Sequence, residues 1–500
     1  MRHAYTVETV RAAEQALMAV VPDGTLMHRA ATGLAAACVN LLSDYRGVYG
    51  SRVVVLTGSG DNGGDALYAA ARLARRGAEA SAVLLAPDKA HPGGLAAFHR
   101  AGGRTVASED SGPLIARADL VLDGIVGIGG KGGLRPEAVR LARAAYEARA
   151  AVVAVDLPSG VEASTGEVHG DAVQADATIT FGTYKPCLLI DPAAEHAGAL
   201  RLIDIGLGPY LPAPELEALQ HADVAALLPV PVGESDKYRR GVVGVVAGSE
   251  RYPGAAVLAV GGALRGGAGA VRYVGPVTDA VIARYPETLV TTGPPSKAGR
   301  VQAWVVGPGL GDDARGRQAV TEVLASDVPV LLDADGLRLA DRHTIRERTA
   351  PTLLTPHAGE AAALLKAARE DVEAARLAHV RRLAGEFAAT VLLKGSTTLV
   401  AQQGYPVRVN PTGTPWLSTA GSGDVLSGLT GSLLAAGLTA RDAASVGAYL
   451  HGLAGRYAPV PFGSHELAER IPEAWHSVRS PSAPGPRSAS GPRSTSGRQS

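Results

Sequence analysis

An α/β protein with two sheet-based domains is what the sequence predicts, from three observations. Short apolar runs rich in Val and Leu alternate with amphipathic helical stretches. The alternation pauses near residue 208 and restarts near 242. The 500 residues also exceed what one ordinary core organises.

The elements follow in order. Arg52–Thr57, Ser81–Ala86, Asp119–Leu122, Ala151–Val155 and Ala177–Phe181 read as buried strands, with helices at about 63–76 and 136–149 between some of them. Strands apolar on both faces and separated by helices make a parallel sheet covered on both sides. A connecting stretch rich in Pro, Leu and acidic residues runs from Gly208 to Asp223. Beyond it Val242–Ala247, Ala270–Val274, Gln302–Val306, Val328–Leu332, Thr352–Leu354 and Thr390–Leu393 look like strands. Helices at about 254–266, 312–325, 370–388, 421–437 and 439–457 fit between or after them. The Ser/Pro/Gly/Arg stretch 480–500 is expected to be disordered.

Composition narrows the function. The 48 basic and 48 acidic side chains balance, so nothing draws the chain to nucleic acid or to an anionic membrane. Cys38 and Cys187 stand far apart without metal-site spacing, which fits a reducing cytoplasm. The first residues lack the apolar core of a signal peptide, and no apolar run reaches about 18 residues.

The richest stretch is Asn410-Pro-Thr-Gly-Thr-Pro-Trp-Leu-Ser-Thr-Ala-Gly-Ser-Gly-Asp424, which leads into a small-residue helix. The amides of Gly421, Ser422 and Gly423 at a helix start can converge on an anion, and the helix dipole adds positive charge. A carboxylate beside such an amide nest crowds a phosphate unless it handles a proton. Asp424 therefore reads as the base of a phosphoryl transfer to a hydroxyl. Around it stand Val243-Gly-Val-Val-Ala-Gly248-Ser249 with Gly254-Ala255, Val306-Gly-Pro-Gly309-Leu-Gly311, Thr355-Pro-His357-Ala-Gly-Glu360 and Leu392-Leu-Lys394-Gly-Ser-Thr-Thr398. His357 reads equally as a capped helix start or a ligand group. Lys394-Gly395 alone reads as a strand-exit turn, and Asp333 and Asp335 as loop acids.

The first half has its own loops. Gly58-Ser-Gly60-Asp-Asn-Gly63 matches GxGxxG after a strand, but Asp61 and Asp65 would repel a pyrophosphate. A cation, or the sugar and base end of a ligand, suits that loop better. Asp123 and Asp156 end two further strands, and such acids are often mere turn or cap residues. Three such loops at strand carboxyl ends nevertheless point to a site.

Tyr5-Thr-Val-Glu8, Asp61-Asn-Gly-Gly-Asp65, Leu122-Asp-Gly-Ile-Val-Gly127 and Val155-Asp-Leu-Pro-Ser-Gly160 resemble the YjeF N-terminal family of NAD(P)H-hydrate epimerases over residues 1–210. The resemblance implies a Rossmann-like three-layer domain with K+ held by Asn62, Asp123 and Ser159. It places the damaged nucleotide on Asp61, Asn62, Gly63, Gly64 and Asp65 and on Gly127, Ile128, Gly129, Gly130, Lys131, Gly132 and Gly133, with Asp156 as acid/base. Asp61 stands where the family usually has Asn.

The second set of motifs resembles the ADP/ATP-dependent NAD(P)H-hydrate dehydratases of the ribokinase-like superfamily over residues 223–476. That resemblance implies a second three-layer domain in which Ala255, Gly309, His357 and Asp424 contact the hydrate. Lys394, Gly395, Ser396, Thr397, Thr398 and the Gly421–Gly423 turn would hold the adenine nucleotide. Together the two imply a bifunctional repair enzyme for the hydrates NADHX and NADPHX, using ADP or ATP with Mg2+, cytoplasmic and a homo-oligomer. A vitamin-precursor kinase of ribokinase type fused to a nucleotide-binding domain is the alternative.

Overall fold

The computed structural model describes residues 1–44 and 47–479; the expected tail 480–500 lies outside them. Two sheets organise the chain. β1 (Arg2–Ala4) precedes the first of them, which contains β2 (Arg52–Thr57), β3 (Glu79–Leu84), β4 (Arg104–Val106), β5 (Leu120–Gly124), β6 (Ala151–Val155), β7 (Ala177–Phe181) and β8 (Ala199–Ile203). The order is β4-β3-β2-β5-β6-β7-β8, with every pairing parallel.

Side chains alternate across this sheet, as the two-residue period of a strand requires. Val53 and Val55 face one apolar layer with the helix Asp61–Ala74, whereas Val54 and Leu56 face another with the helix Pro136–Glu147. Burial on both faces explains why these strands read as continuous apolar runs.

The second sheet gathers β9 (Leu216–Ala218), β10 (Val242–Val246), β11 (Ala270–Val274), β12 (Leu289–Thr291), β13 (Ala303–Val306), β14 (Val330–Leu332), β15 (Thr352–Leu354), β16 (Thr390–Leu393), β17 (Thr398–Ala401) and β18 (Val407–Asn410). Its order is β1-β9-β18-β17-β16-β15-β14-β13-β10-β11-β12. The pairs β1–β9, β16–β17 and β17–β18 are antiparallel and the rest parallel. Val243 and Val245 face the helices Pro253–Arg265, Ser422–Ala435 and Ala440–Tyr457; Val242 and Val246 face Ala314–Leu324 and Arg376–Phe387.

The structure departs from the sequence reading in several places, among them the short strands β4, β8 and β12, which the sequence reading lacked. The connecting stretch contains β9, which pairs with both β1 and β18, so the chain start is tied to the second sheet. The helix expected over 370–388 breaks at Ala375, where φ −127° and ψ 55° leave the helical region. The antiparallel strands β17 and β18 were not foreseen in the sequence; each has only four residues. Among the described residues no helix is long and apolar enough to cross a membrane.

Candidate functional site

Each sheet has a point where successive strands run to opposite sides, and ligands favour the crevice there. In the first sheet β2 lies between β3 and β5, which brings the Gly58–Asn62 turn beside the end of β5. Gly58 is forced: a Cβ there would lie 1.8 Å from the Ile125 carbonyl oxygen. A cavity of about 760 Å³ opens at this edge, lined by Asp61, Asn62, Asp65, Gly127–Gly130 and Asp156. Gly63 and Gly64 lie instead inside the helix, tight against the Gly58 carbonyl and His91. Lys131 lines a neighbouring cavity of about 550 Å³ with Arg11. Gly132 and Gly133 line neither, and Gly133 abuts the His169 carbonyl.

Asp156 sits at the end of β6 with φ 67°, a left-handed conformation that costs a non-glycine residue energy and clusters at functional sites. Its Oδ1 accepts from Lys185 Nζ at 2.5 Å, Thr180 Oγ1 at 3.0 Å and the Phe181 amide at 3.1 Å. Among the described residues nothing donates to Oδ2, and Asp156 lines the cavity. Lys185 is 1% exposed and gives its other protons to Thr180 Oγ1 and the Phe181 carbonyl, each at 3.0 Å.

Around this pair the acids crowd. Burial, and then the charges of Asp156, Asp61 and Glu14, push the Asp65 carboxyl well above the usual carboxylate range. Burial also raises Glu14, against the pull of Lys185. Asp65 Oδ1 is buried without a hydrogen-bond partner.

Asp123, at 0% exposure, is held by Ser159: Ser159 N donates to Oδ2 at 2.8 Å and Ser159 Oγ to Oδ1 at 2.6 Å. The Ile125 amide adds a 3.3 Å bond. None of these partners is cationic, and burial pushes Asp123 up to about 6 despite them. Asn62 Nδ2 is buried and unpartnered, with its side chain against Gly127. The Asp123 carboxylate and the Ser159 hydroxyl bonded to it, with the Asn62 carbonyl beside Gly127, are hard oxygens of the kind an alkali cation takes.

In the second sheet the carboxyl ends of β14, β15 and β16 bring Asp333, His357 and Lys394 to one edge. Lys394 Nζ lies 2.7 Å from Asp333 Oδ1 and 3.6 Å from Glu360 Oε2. Asp333 is 1% exposed and also accepts from Ser427 Oγ at 2.7 Å, so it is a buried counter-ion rather than a loop acid. Asp335 does serve the loops, accepting from the Gly311 amide and pairing with Arg338. Burial opposes the Lys394 charge, but Asp333 and Glu360 outweigh it and hold its pKa above the ordinary lysine value.

The helix Ser422–Ala435 points its first turn at this cluster. Gly421 caps it with φ 87°, a conformation suited to glycine. The Ser422 amide turns back to the Thr419 carbonyl, whereas the Gly423 and Asp424 amides donate to nothing among the described residues. Other groups tie the nest from behind: His451 Nε2 lies 2.9 Å from the Ser422 carbonyl oxygen, and Ser464 Oγ donates to that of Ala420 at 2.6 Å. A Cβ on Gly423 would stand 3.5 Å from Lys394 Nζ, so nest and ammonium are neighbours. Burial, then the Asp333 charge, push the Asp424 carboxyl up to about 7, with Lys394 pulling the other way. A carboxyl poised near neutrality beside free amides can accept a proton while an anion is held.

His357 resolves towards the cap. Its Nδ1 accepts from the Gly359 and Glu360 amides at 3.0 and 3.2 Å, and the His357 amide donates to Glu360 Oε2 at 2.7 Å. Only the Nε2 edge is left towards Glu360 and solvent. Ala255 and Gly309 touch: a Cβ on Gly309 would lie 2.7 Å from that of Ala255. Beside them a cavity of about 560 Å³, lined by Gly248, Tyr252, Thr292 and Leu310, occupies the crevice between the ends of β10, β11 and β13; Asp424 does not line it.

Comparison with known proteins matches this division. Residues 23–187 match the family model of the YjeF-related protein N-terminus, and residues 243–475 that of NAD(P)H-hydrate dehydratase. The chain is 50% identical over 457 residues to the bifunctional NAD(P)H-hydrate repair enzyme Nnr of Mycobacterium leprae, covering 91% of this chain and 93% of that protein. The chain belongs to the bifunctional NAD(P)H-hydrate repair enzymes. The same-named enzyme of Corynebacterium glutamicum is 36% identical, with 87% of each chain covered. Among solved structures, the ADP/ATP-dependent NAD(P)H-hydrate dehydratase of Bacillus subtilis, co-crystallised with ATP/Mg2+, is 29% identical. It covers 52% of this chain and 97% of its own, with a TM-score of 0.48. In this repair enzyme the first sheet belongs to the epimerase-like half and the second to the dehydratase half, both directed at small-molecule substrates.

Sequence reasoning missed Lys185, Glu14 and the pairing role of Asp333. A lysine after Gly182-Thr-Tyr reads as a surface loop residue, and only its burial against Asp156 sets it apart.

Proposed function

We propose that the cavity holding Asp156 interconverts the R and S hydrates of NADH and NADPH, and that Asp424 starts the nucleotide-driven dehydration of the S form. The hydroxyl-bearing carbon of the hydrate adjoins the ring nitrogen. Its configuration exchanges by ring opening or through an iminium, and both routes need a group that takes and returns a proton. Asp156 Oδ2 is that group; Lys185 and the Phe181 amide hold the other oxygen and fix the carboxylate's orientation. Asn62, Asp123 and Ser159 would hold a potassium ion, which supplies positive charge against the crowded acids.

In the second half Asp424 takes the proton of the hydrate hydroxyl as its oxygen bonds to the terminal phosphorus of ADP or ATP. The bridging oxygen leaves with the remaining nucleotide. The Gly423 and Asp424 amides and the Lys394 ammonium face the charge that develops on the phosphoryl oxygens; one such donor typically contributes about 3–4 kcal/mol. The ring nitrogen lone pair then expels phosphate, and a proton leaves the neighbouring carbon to restore the reduced nicotinamide. Bound with the nucleotide, Mg2+ would supply positive charge against the phosphates. Among the described residues no group of three or more His, Cys, Asp or Glu forms a metal cluster of its own.

One observation carries this reading: a carboxyl raised to about 7 stands at a helix start where the Gly423 and Asp424 amides donate to nothing among the described residues. Replacing Asp424 and assaying both activities in one preparation tests it. The free, buried cysteines Cys38 and Cys187 agree with a reducing cytoplasm.

A further inference from the structure

The loop Lys394–Thr398 is built partly from the other half of the protein. Asp191 lies between β7 and β8 and is 7% exposed. Its Oδ2 accepts from the Thr397 amide at 2.8 Å and from Ser396 Oγ, while its own amide donates to Thr397 Oγ1 at 3.1 Å. The residues before it, Leu189 and Ile190, are buried in the apolar layer of Leu393 and Leu399, the strand residues that flank the loop. The contact is thus anchored as well as hydrogen-bonded.

From the opposite side Arg376, 6% exposed, donates Nη2 to the carbonyls of Lys394 at 3.1 Å and Thr397 at 3.0 Å. Its charge is attracted to Asp191. Thr397 is buried between the two, whereas Gly395 and Ser396 form an exposed tip.

We infer that Asp191, supplied by the epimerase half, is a positioning residue for nucleotide binding in the dehydratase half: it holds the 394–398 loop in its ligand-ready shape. This rests on the reading that the loop holds the adenine nucleotide. A loop ordered in advance spares the ligand the entropy of ordering it, so loss of the clamp acts on nucleotide affinity rather than on chemistry. It also accounts for a buried carboxylate that neither reaction uses.

The test uses the full chain, with steady-state kinetics for ADP and for ATP and epimerisation measured without nucleotide. Asp191→Ala should raise the nucleotide KM by roughly tenfold, with kcat changed less than about twofold and epimerisation unchanged. Asp191→Asn keeps an acceptor oxygen for Ser396 and Thr397 but loses the charge that attracts Arg376, so it should recover only part of that loss and leave the nucleotide KM about threefold raised. An unchanged KM in Asp191→Ala overturns the inference. So does an equal loss of both activities in both variants, which would make Asp191 merely structural. If Asp191→Ala alone fails to fold, Asp191→Asn decides: a raised nucleotide KM with normal epimerisation supports positioning, and an unchanged one overturns it. Gly395→Ala separates this from the functional reading, because its Cβ would meet Arg376 Nη2 at 2.3 Å. If Gly395→Ala raises the KM and Asp191→Ala does not, the loop binds nucleotide and the positioning role falls. If neither does, the loop assignment itself falls.

Discussion

Lys394 Nζ lies 2.7 Å from Asp333 Oδ1, and Ser427 Oγ donates to the other oxygen of that carboxylate at the same distance. One buried acid thus holds Lys394 and touches the helix that carries Asp424. Its charge also raises the Asp424 carboxyl. The proposed base and the lysine beside it are therefore both held by the charge of one residue.

Asp424→Asn keeps the shape of the nest and removes the base. Dehydration should fall by about 10²–10⁴-fold, the usual contribution of a positioned general base. Epimerisation, measured in the same preparation, should not change; comparable losses in both activities would refute the division of labour.

The dehydration rate should depend on pH through Asp424. Its carboxyl is raised to about 7 and must be ionised to accept a proton. kcat/KM should therefore drop about tenfold per unit below that pH and level off above it. In Asp333→Asn the inflection should move to lower pH, because a neighbouring negative charge is gone. An inflection that stays in place would remove Asp333 from the tuning.

The Asp156–Lys185 pair is buried, with side chains 11% and 1% exposed. Lys185→Met alone should cost roughly 3–5 kcal/mol in denaturant unfolding, since it strands a carboxylate. The double variant Asp156→Asn with Lys185→Met should be markedly less destabilised, and both proteins should lose epimerisation. Additive costs would show that the two charges do not stabilise each other.

Replacing potassium by tetramethylammonium at constant ionic strength should lower epimerisation by roughly an order of magnitude. Dehydration under saturating nucleotide should be unaffected. Full epimerisation without an alkali cation would remove Asn62, Asp123 and Ser159 from any ion site.

Much of the fold was legible because its central strands are buried on both faces. Arg52–Thr57, Ala151–Val155 and Thr390–Leu393 carry continuous apolar runs that end in turn residues, so their limits were found to the residue. β1 and β9 were not, since each has three residues and pairs with a strand distant in sequence. The Gly421–Asp424 turn was legible as a local pattern with local chemistry. Asp333 was not: Asp333 and Asp335 look alike in the chain, and only sheet position buries one and leaves the other to the loop. Lys185 stands 29 residues from the carboxylate that accounts for its burial, and no local pattern marks such a pair.

The most direct test supplies the full chain with mixed R and S hydrates, Mg2+ and limiting then excess ADP or ATP, following reduced nicotinamide and free phosphate together. The account predicts that both epimers disappear completely, with one phosphate released for each NADH or NADPH formed. A residue of untouched R hydrate, or a phosphorylated product that accumulates without reduced nicotinamide, would contradict it.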